Sequence, residues 1–361
     1  MSRGDDEQRF GTASGQGAGP LQSGGDATAA VHRALKEWLA ERGGDPLTEV
    51  GAWALASPGK LTRPVLLLES ARAVGASPER VLPAAVGMEL LHVCSLLHDD
   101  ILDGDDIRRG RQSAHRRFGA PLALLAGDGL LCAAFEQVAR CAERGVPVSA
   151  VRRAIGVLAT AGRDLAEGVT RELTWTSVAR ITCPETALAD YTEMVRLKTA
   201  PLLRAACEIG ALLGGGDDAQ ARALADYGQA LGIAFQIRDD LLPYTSTAAH
   251  EGKPDDSDLR NARPSLPLLL AGVLGGPEER DRLAGLLADG RPDRQDELTE
   301  LLEETGALKE AHIIAQEYAL HCHAALDGIP PGPHTRTLRH LIGVVTGTGD
   351  GPVTAPGGGQ R

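Results

Sequence analysis

One apolar stretch of the chain, Val86 to Leu97, runs into three carboxylates, Asp99, Asp100 and Asp103. At 3.6 residues per turn Asp99 and Asp103 fall about 40° apart on one helix face, with Asp100 roughly 100° round from Asp99. Carboxylates this close repel, and burying them without compensation is costly. A hard divalent cation removes that cost. Mg²⁺ favours one or two carboxylates completed by water and phosphate oxygens. Taken alone, the motif also fits a solvated acidic helix end. Arg108 and Arg109 follow shortly after Asp103. Acid to hold metal, beside base to hold phosphate, is how a diphosphate site is built.

Other stretches carry matching chemistry. Gly59-Lys60-Leu61-Thr62-Arg63-Pro64 places two cations at the head of a helix, where free amides and positive charge attract anions; a plain basic first turn is the alternative. Phe235-Gln236-Ile237-Arg238-Asp239-Asp240 closes another long apolar helix, a second acidic helix end with Gln236 between the two aspartates in angle. Lys198-Thr199 lies in an otherwise apolar helix, where a lysine either has a task or snorkels to solvent. Gly252-Lys253-Pro254 and Ser257-Asp258-Leu259-Arg260 form a polar loop before Pro264. His321-Cys322-His323 has metal-binding residue types, but adjacent helical residues point in different directions, which argues against a shared ion.

These groups need helices to position them. The chain has 361 residues, 43% hydrophobic and only 3% aromatic, so Leu, Ala and Val must fill its core. A net charge of −12 argues against nucleic acid as a partner. The six cysteines (Cys94, Cys132, Cys141, Cys183, Cys207, Cys322) are scattered without a CxxC pair, as free thiols of a reducing cytoplasm would be. No unbroken apolar run reaches transmembrane length, and the N-terminus lacks the apolar segment of a signal peptide. Helical periodicity covers roughly 29–39, 62–74, 77–103, 120–143, 148–176, 185–213, 217–242, 265–275, 280–289, 295–326 and 334–345. Residues 1–26 and 347–361 are Gly-rich and poor in apolar residues, which predicts disorder. Between them no linker separates two domains. The expectation is one all-α domain, 27–346, of about a dozen helices.

In order and spacing the motifs resemble those of the trans-isoprenyl diphosphate synthases, the polyprenyl synthetase family. The resemblance covers about residues 30–345: GKxxRP (59–64), DDxxD with its RRG (99–110), Gly127-Asp128-x-Leu130, Lys198-Thr199, FQIxDD (235–240) and GKPxxSDL (252–259). It implies a single orthogonal helical bundle around a central cavity, usually a homodimer, with the two acidic helix ends facing across the cavity mouth. By position, Asp99, Asp100, Asp103 and Asp239 would hold about three Mg²⁺ ions on an allylic diphosphate, with Asp240 beside them. Arg108, Lys198 and Lys253 would contact that diphosphate. Lys60, Arg63, His92 and Arg109 would contact isopentenyl diphosphate. Thr199 and Gln236 would lie near the substrate, Gln236 close to the reacting carbons.

The implied reaction is head-to-tail 1′–4 condensation of the two diphosphates. Two rivals share the fold: a class I terpene cyclase, which needs no isopentenyl diphosphate pocket, and a non-catalytic subunit of a heteromeric synthase, which would have lost its metal aspartates. The chain departs from the family pattern at Pro243, where a third aspartate is usual, and at Arg263, Leu61, Val169 and Glu172. Five and four residues before Asp99 stand Cys94 and Ser95, both small. Family members that stop at C15 commonly carry aromatics there. A floor deeper in the helix, near Leu91 or Met88, implies a longer product, with C20 geranylgeranyl diphosphate as the expectation.

Overall fold

The computed structural model describes residues 24–56, 59–175, 184–245 and 265–347. Within them the chain forms fifteen α-helices and one short hairpin. In order these are α1 (Gly24–Ala40), α2 (Pro46–Leu55), α3 (Thr62–Ala73), α4 (Pro78–Asp103), β1 (Ile107–Arg108), β2 (Arg111–Gln112), α5 (Ala114–Phe118), α6 (Ala120–Ala139) and α7 (Val148–Leu173). Then come α8 (Pro184–Lys198), α9 (Ala200–Gly214), α10 (Asp218–Thr245), α11 (Leu266–Leu274), α12 (Pro277–Asp289), α13 (Gln295–Glu304), α14 (Ala307–Ala325) and α15 (Pro333–Thr346). The all-α expectation holds.

Helix α4 is the central rod, packed against α3, α6 and α9. It starts at Pro78, in the first-turn position that needs no amide, and stops at Gly104, in the left-handed conformation at φ 68°. Pro83 lies inside it and cannot donate to the Glu79 carbonyl. Arg144 supplies the missing bond, its Nη1 reaching that carbonyl at 2.9 Å. The core has two parts. One gathers α3, α4, α6 and α9; the other gathers α8 and α11 to α14. Helix α10 passes from one into the other, with Leu224, Tyr227 and Leu231 in the first and Ile237 and Leu241 in the second. The end carrying Gln236, Asp239 and Asp240 therefore lies where the two cores meet.

Several boundaries differ from the sequence reading. Helix α1 begins at Gly24, inside the stretch expected to lack structure, because Ala27, Ala30 and Val31 bury their side chains. The helix expected over 185–213 breaks at Thr199, next to Pro201, whose ring forbids an unbroken ladder. The helix expected over 295–326 breaks at Gly306, φ 75°. Helix α2 was not expected; Asp45 caps it, accepting from the amides of Leu47 (2.9 Å) and Thr48 (3.1 Å), with Pro46 in the first turn.

Two helical stretches, Pro78–Asp103 and Ala120–Arg144, are long and apolar enough to cross a membrane by length and composition alone, although isolated polar residues interrupt each run. The first is mostly buried inside the fold, as a core helix is; the second leaves Leu122, Leu124 and Leu125 exposed.

Candidate active site

Both acidic motifs occupy the last turns of long helices. Asp99 and Asp103 share one face of α4, as the helical period requires. Burial pushes the Asp99 carboxyl above the usual range; Lys198 opposes this and Asp103 adds to it. Burial likewise raises Asp239 to about 6, against the charges of Arg238, Lys60 and Arg63. Among the described residues neither carboxylate holds a hydrogen bond or ion pair.

Asp100 differs. It is 4% exposed and accepts from Arg108 Nε at 2.6 Å. Arg108 also reaches Asp105 at 3.4 Å. Asp100, expected as a metal ligand, holds Arg108 in this structure. No three His, Cys, Asp or Glu groups form a ready-made cage among the described residues. That suits Mg²⁺, which keeps waters and substrate oxygens and takes only one or two carboxylates from a protein. The donors present, hard oxygens on Asp99, Asp103 and Asp239, fit it.

Lys198 closes the rim of the site. It ends α8 and donates to the Glu172 carboxylate on α7. A Cβ on Gly168 would lie 2.4 Å from the Lys198 amide nitrogen, so the two helices meet only because residue 168 is glycine. The next residue, Thr199, starts a chain of bonds. Its Oγ1 donates to Gln236 Oε1 at 2.6 Å, and Gln236 Nε2 donates to Asp240 Oδ1 at 2.8 Å. Asp240 Oδ2 accepts from Tyr191 (2.6 Å) and from the Leu266 amide (2.9 Å). Asp240 sits beside Asp239 as expected, but its oxygens join α8, α10 and the start of α11. Neighbours in sequence have separate tasks: Asp239 is open, while Asp240 holds the frame.

The basic residues gather within electrostatic reach of Asp239. Arg63 Nη1 lies 3.2 Å from His92 Nε2. Burial, then Arg63, Arg109 and Arg108, hold the His92 ring well below the ordinary histidine range, so it is neutral and accepts this bond. Burial also weakens the Arg63 guanidinium, which Glu89 and Asp239 support. Among the described residues three buried polar atoms here lack partners: Arg63 Nε, His92 Nδ1 and Glu89 Oε2. Such orphans are costly in a core, and their convergence marks a place for a polar ligand. Lys60 is exposed at the edge. Arg109 comes to the group from the β1–β2 turn, at φ 50°; its guanidinium lies on Gly59, where a Cβ would fall 2.6 Å from Nη2. The two motifs, far apart in sequence, dock through a glycine.

Sequence reasoning missed three supporting residues. Glu89, 3% exposed, has its acidity lowered by burial, which Arg63 and Arg109 oppose; its signal was a lone carboxylate in an apolar run, one turn before His92. Tyr191 gave no signal. Trp53 holds the hairpin: its Nε1 donates to the Gln112 carbonyl at 3.0 Å, and Arg111 and Arg117 stack on its ring at 3.8 and 3.9 Å. Lys253, Arg263 and the GKPxxSDL stretch lie outside the described residues.

Of the expected length-setting residues, Cys94 is 5% exposed with its Sγ 4.0 Å from His98 Nδ1. Burial pushes its thiol to about 12, with Asp128 and Asp99 adding to the shift. Ser95 Oγ donates back to the His92 carbonyl at 2.7 Å. Leu91 and Met88 lie in the core. His98 reaches the Leu124 carbonyl at 3.2 Å and Asp128 at 3.7 Å, which ties the Gly127-Asp128 motif to α4. The histidines flanking Cys322 point apart: His321 packs edge-on to Tyr318, and His323 faces Arg339.

A helical bundle that brings a buried basic cluster within electrostatic reach of an acidic helix end is suited to binding diphosphates, and the comparisons agree. The profile of the polyprenyl synthetase family matches residues 45–305. The short chain isoprenyl diphosphate synthase of Methanothermobacter thermautotrophicus is 34% identical over 79% of this chain and 85% of its own. The geranylgeranyl diphosphate synthase of Methanosarcina mazei is 38% identical over 67% of this chain and 72% of its own. The crystal structure of a decaprenyl diphosphate synthase from Rhodobacter capsulatus superposes with a TM-score of 0.79 at 31% identity, covering 90% of this chain and 96% of that one. The chain belongs to the polyprenyl synthetase family. It is a trans-prenyl diphosphate synthase, a prenyltransferase. Its family uses allylic and isopentenyl diphosphates and is generally Mg²⁺-dependent. The products named for these similar proteins range from farnesyl to decaprenyl diphosphate.

Proposed function

We propose that this chain condenses an allylic diphosphate with isopentenyl diphosphate, head to tail, to geranylgeranyl diphosphate. The observation that carries the two-substrate reading is the set of orphaned polar atoms on Arg63, His92 and Glu89 beside Asp239. A cyclase would have no use for this second anion pocket.

Asp99, Asp103 and Asp239 would hold the metal, with about three Mg²⁺ ions per site; Asp100 keeps Arg108 in place. Mg²⁺, when bound, supplies the positive charge that stabilises the departing diphosphate. Arg108, Lys198 and Lys253 orient that group. Lys60, Arg63, neutral His92 and Arg109 grip the isopentenyl diphosphate, so its double bond approaches the allylic carbon from the other side. The C–O bond of the allylic substrate breaks, the double bond attacks, and a proton leaves. No side chain near the reacting carbons is an evident base, and the released diphosphate can accept that proton. Thr199 and Gln236 bring oxygen and amide dipoles close to the developing cation. Apolar walls keep out water that would quench it.

The small side chains of Cys94 and Ser95, where a C15 synthase would carry a bulky floor, favour C20 over C15. The exposed leucines of α6 suit a homodimer contact. Dispersed free thiols suit the cytoplasm. We place the catalytic unit at 27–346, with tails of low apolar content on either side.

The experiment is product analysis by mass spectrometry from dimethylallyl, geranyl and farnesyl diphosphates, each with isopentenyl diphosphate. C20 product from all three supports the reading, and Cys94→Phe or Ser95→Phe should then shift it toward C15 by filling the tunnel. Wild-type product ending at C15 contradicts the length assignment.

A further inference from the structure

Arg238 precedes Asp239 in α10 and its charge reaches that carboxylate, yet among the described residues the two form no hydrogen bond or ion pair. Successive helical residues point about 100° apart. Nη1 of Arg238 donates to the main-chain oxygens of Val344 (2.8 Å) and Val345 (3.1 Å), among the last carbonyls of α15. There α15 closes on Gly347 at φ 75°. A Cβ on residue 347 would lie 3.2 Å from Arg238 Nε. The arginine thus caps α15, where orphan carbonyls and the negative helix end both attract a cation. Helix α15 is itself fixed. Leu338, Ile342 and Val345 are buried, Tyr227 donates to the Leu338 carbonyl at 2.8 Å, and His334 Nδ1 lies 2.9 Å from the buried Glu69.

We propose that α15 is a positioning arm of the second acidic helix end: by capturing Arg238 it keeps that guanidinium off Asp239 and leaves the carboxylate open to a divalent cation. Asp100 offers a contrast: Arg108, from the β1–β2 hairpin, folds onto that carboxylate at 2.6 Å. Asp239 holds no hydrogen bond or ion pair among the described residues, although an arginine is its immediate neighbour. Arg238 is a positioning residue in this account, and so is Gly347, whose left-handed conformation sets the carbonyls that Arg238 meets. The inference rests on the reading that Asp239 binds metal together with a diphosphate.

The test is Mn²⁺ binding to the full chain, followed by electron paramagnetic resonance in saturating inorganic diphosphate. Gly347→Val forces the cap out of its left-handed conformation, which a β-branched residue does not adopt. That should release Arg238 onto Asp239 and weaken Mn²⁺ binding about tenfold, the scale seen when a group orienting a metal ligand is lost. The double variant Gly347→Val with Arg238→Gln has no guanidinium to release and should bind Mn²⁺ close to wild type. Rescue of this kind is not expected if Gly347 merely stabilises the fold. Wild-type affinity in Gly347→Val, or a double variant as weak as the single one, overturns the inference while leaving the metal reading intact. Absence of Mn²⁺ binding by the wild-type chain with diphosphate overturns both.

Discussion

Lys198 donates to the carboxylate of Glu172, and Gly168, one turn earlier on α7, presses against the Lys198 main chain. The position of the Lys198 charge, proposed above to contact the allylic diphosphate, is therefore set by a helix crossing, and the crossing depends on a missing side chain. Gly168→Ala should push α7 and α8 apart. The expected cost is about 1–3 kcal/mol of stability, as for other overpacked contacts. kcat/KM for the allylic diphosphate should fall more than that for isopentenyl diphosphate. Urea titration and two-substrate kinetics read both; an unchanged allylic kcat/KM contradicts the positioning role.

Asp99→Ala and Asp103→Ala each remove a hard oxygen from the same helix face. Turnover should drop by roughly several orders of magnitude, since charge on the departing diphosphate is no longer offset. Folding should change little, because the end of α4 is partly exposed. EDTA should abolish wild-type activity and Mg²⁺ restore it. Near-normal turnover in either folded variant sinks the assignment.

Arg63→Ala should separate the two pockets kinetically. It deletes a cation at the orphaned cluster with His92 and Glu89. KM for isopentenyl diphosphate should rise about 10- to 100-fold from loss of a charge-assisted contact, with the allylic KM much less affected. A parallel rise in both would show that the cations are not divided between two diphosphates.

Burial of the Asp239 carboxyl makes stability depend on pH. Its carboxyl is held at about 6 in the fold against an ordinary 3.8. A proton is thus bound more tightly in the folded state. The associated stability is complete below the lower value and disappears as pH rises through the upper one. Metal-free Asp239→Asn should therefore melt above wild type at about pH 8 and close to it at about pH 4. It should also lose activity. Calorimetry in EDTA decides this: identical melting of the two proteins at the higher pH contradicts the buried, ionised carboxylate.

Much of this site is legible in the sequence where a helical period governs it. Asp99 and Asp103 share a face because they are four residues apart, and the rod that carries them is written in the apolar run before them. Asp45-Pro46 carries a legible start signal for α2, even though the weak periodicity after it hides the helix. What period cannot supply is the partner from another element. Asp239 and Asp240 are the same residue type side by side, yet Tyr191, Gln236 and the Leu266 amide hold only the second. Asp100 looks equivalent to Asp99 until Arg108 is seen to fold back on it. The break at Thr199 reads as continuous helix because its cause includes a bond to Gln236, 37 residues away. Glu89 is visible as an oddity in an apolar helix, but its relation to Arg63 requires the packing of α3 on α4.

The central claim is that two diphosphates bind in two pockets of different chemistry, one basic and one acidic. Equilibrium binding tests it most directly. Isopentenyl diphosphate and a non-cleavable allylic thiolodiphosphate are each titrated calorimetrically into the chain, in EDTA and then in Mg²⁺. The account predicts that isopentenyl diphosphate binds in EDTA through Lys60, Arg63 and Arg109, whereas the allylic analogue binds only when Mg²⁺ bridges it to the aspartates. Metal-independent binding of the allylic analogue, or no metal-free binding of isopentenyl diphosphate, would contradict it.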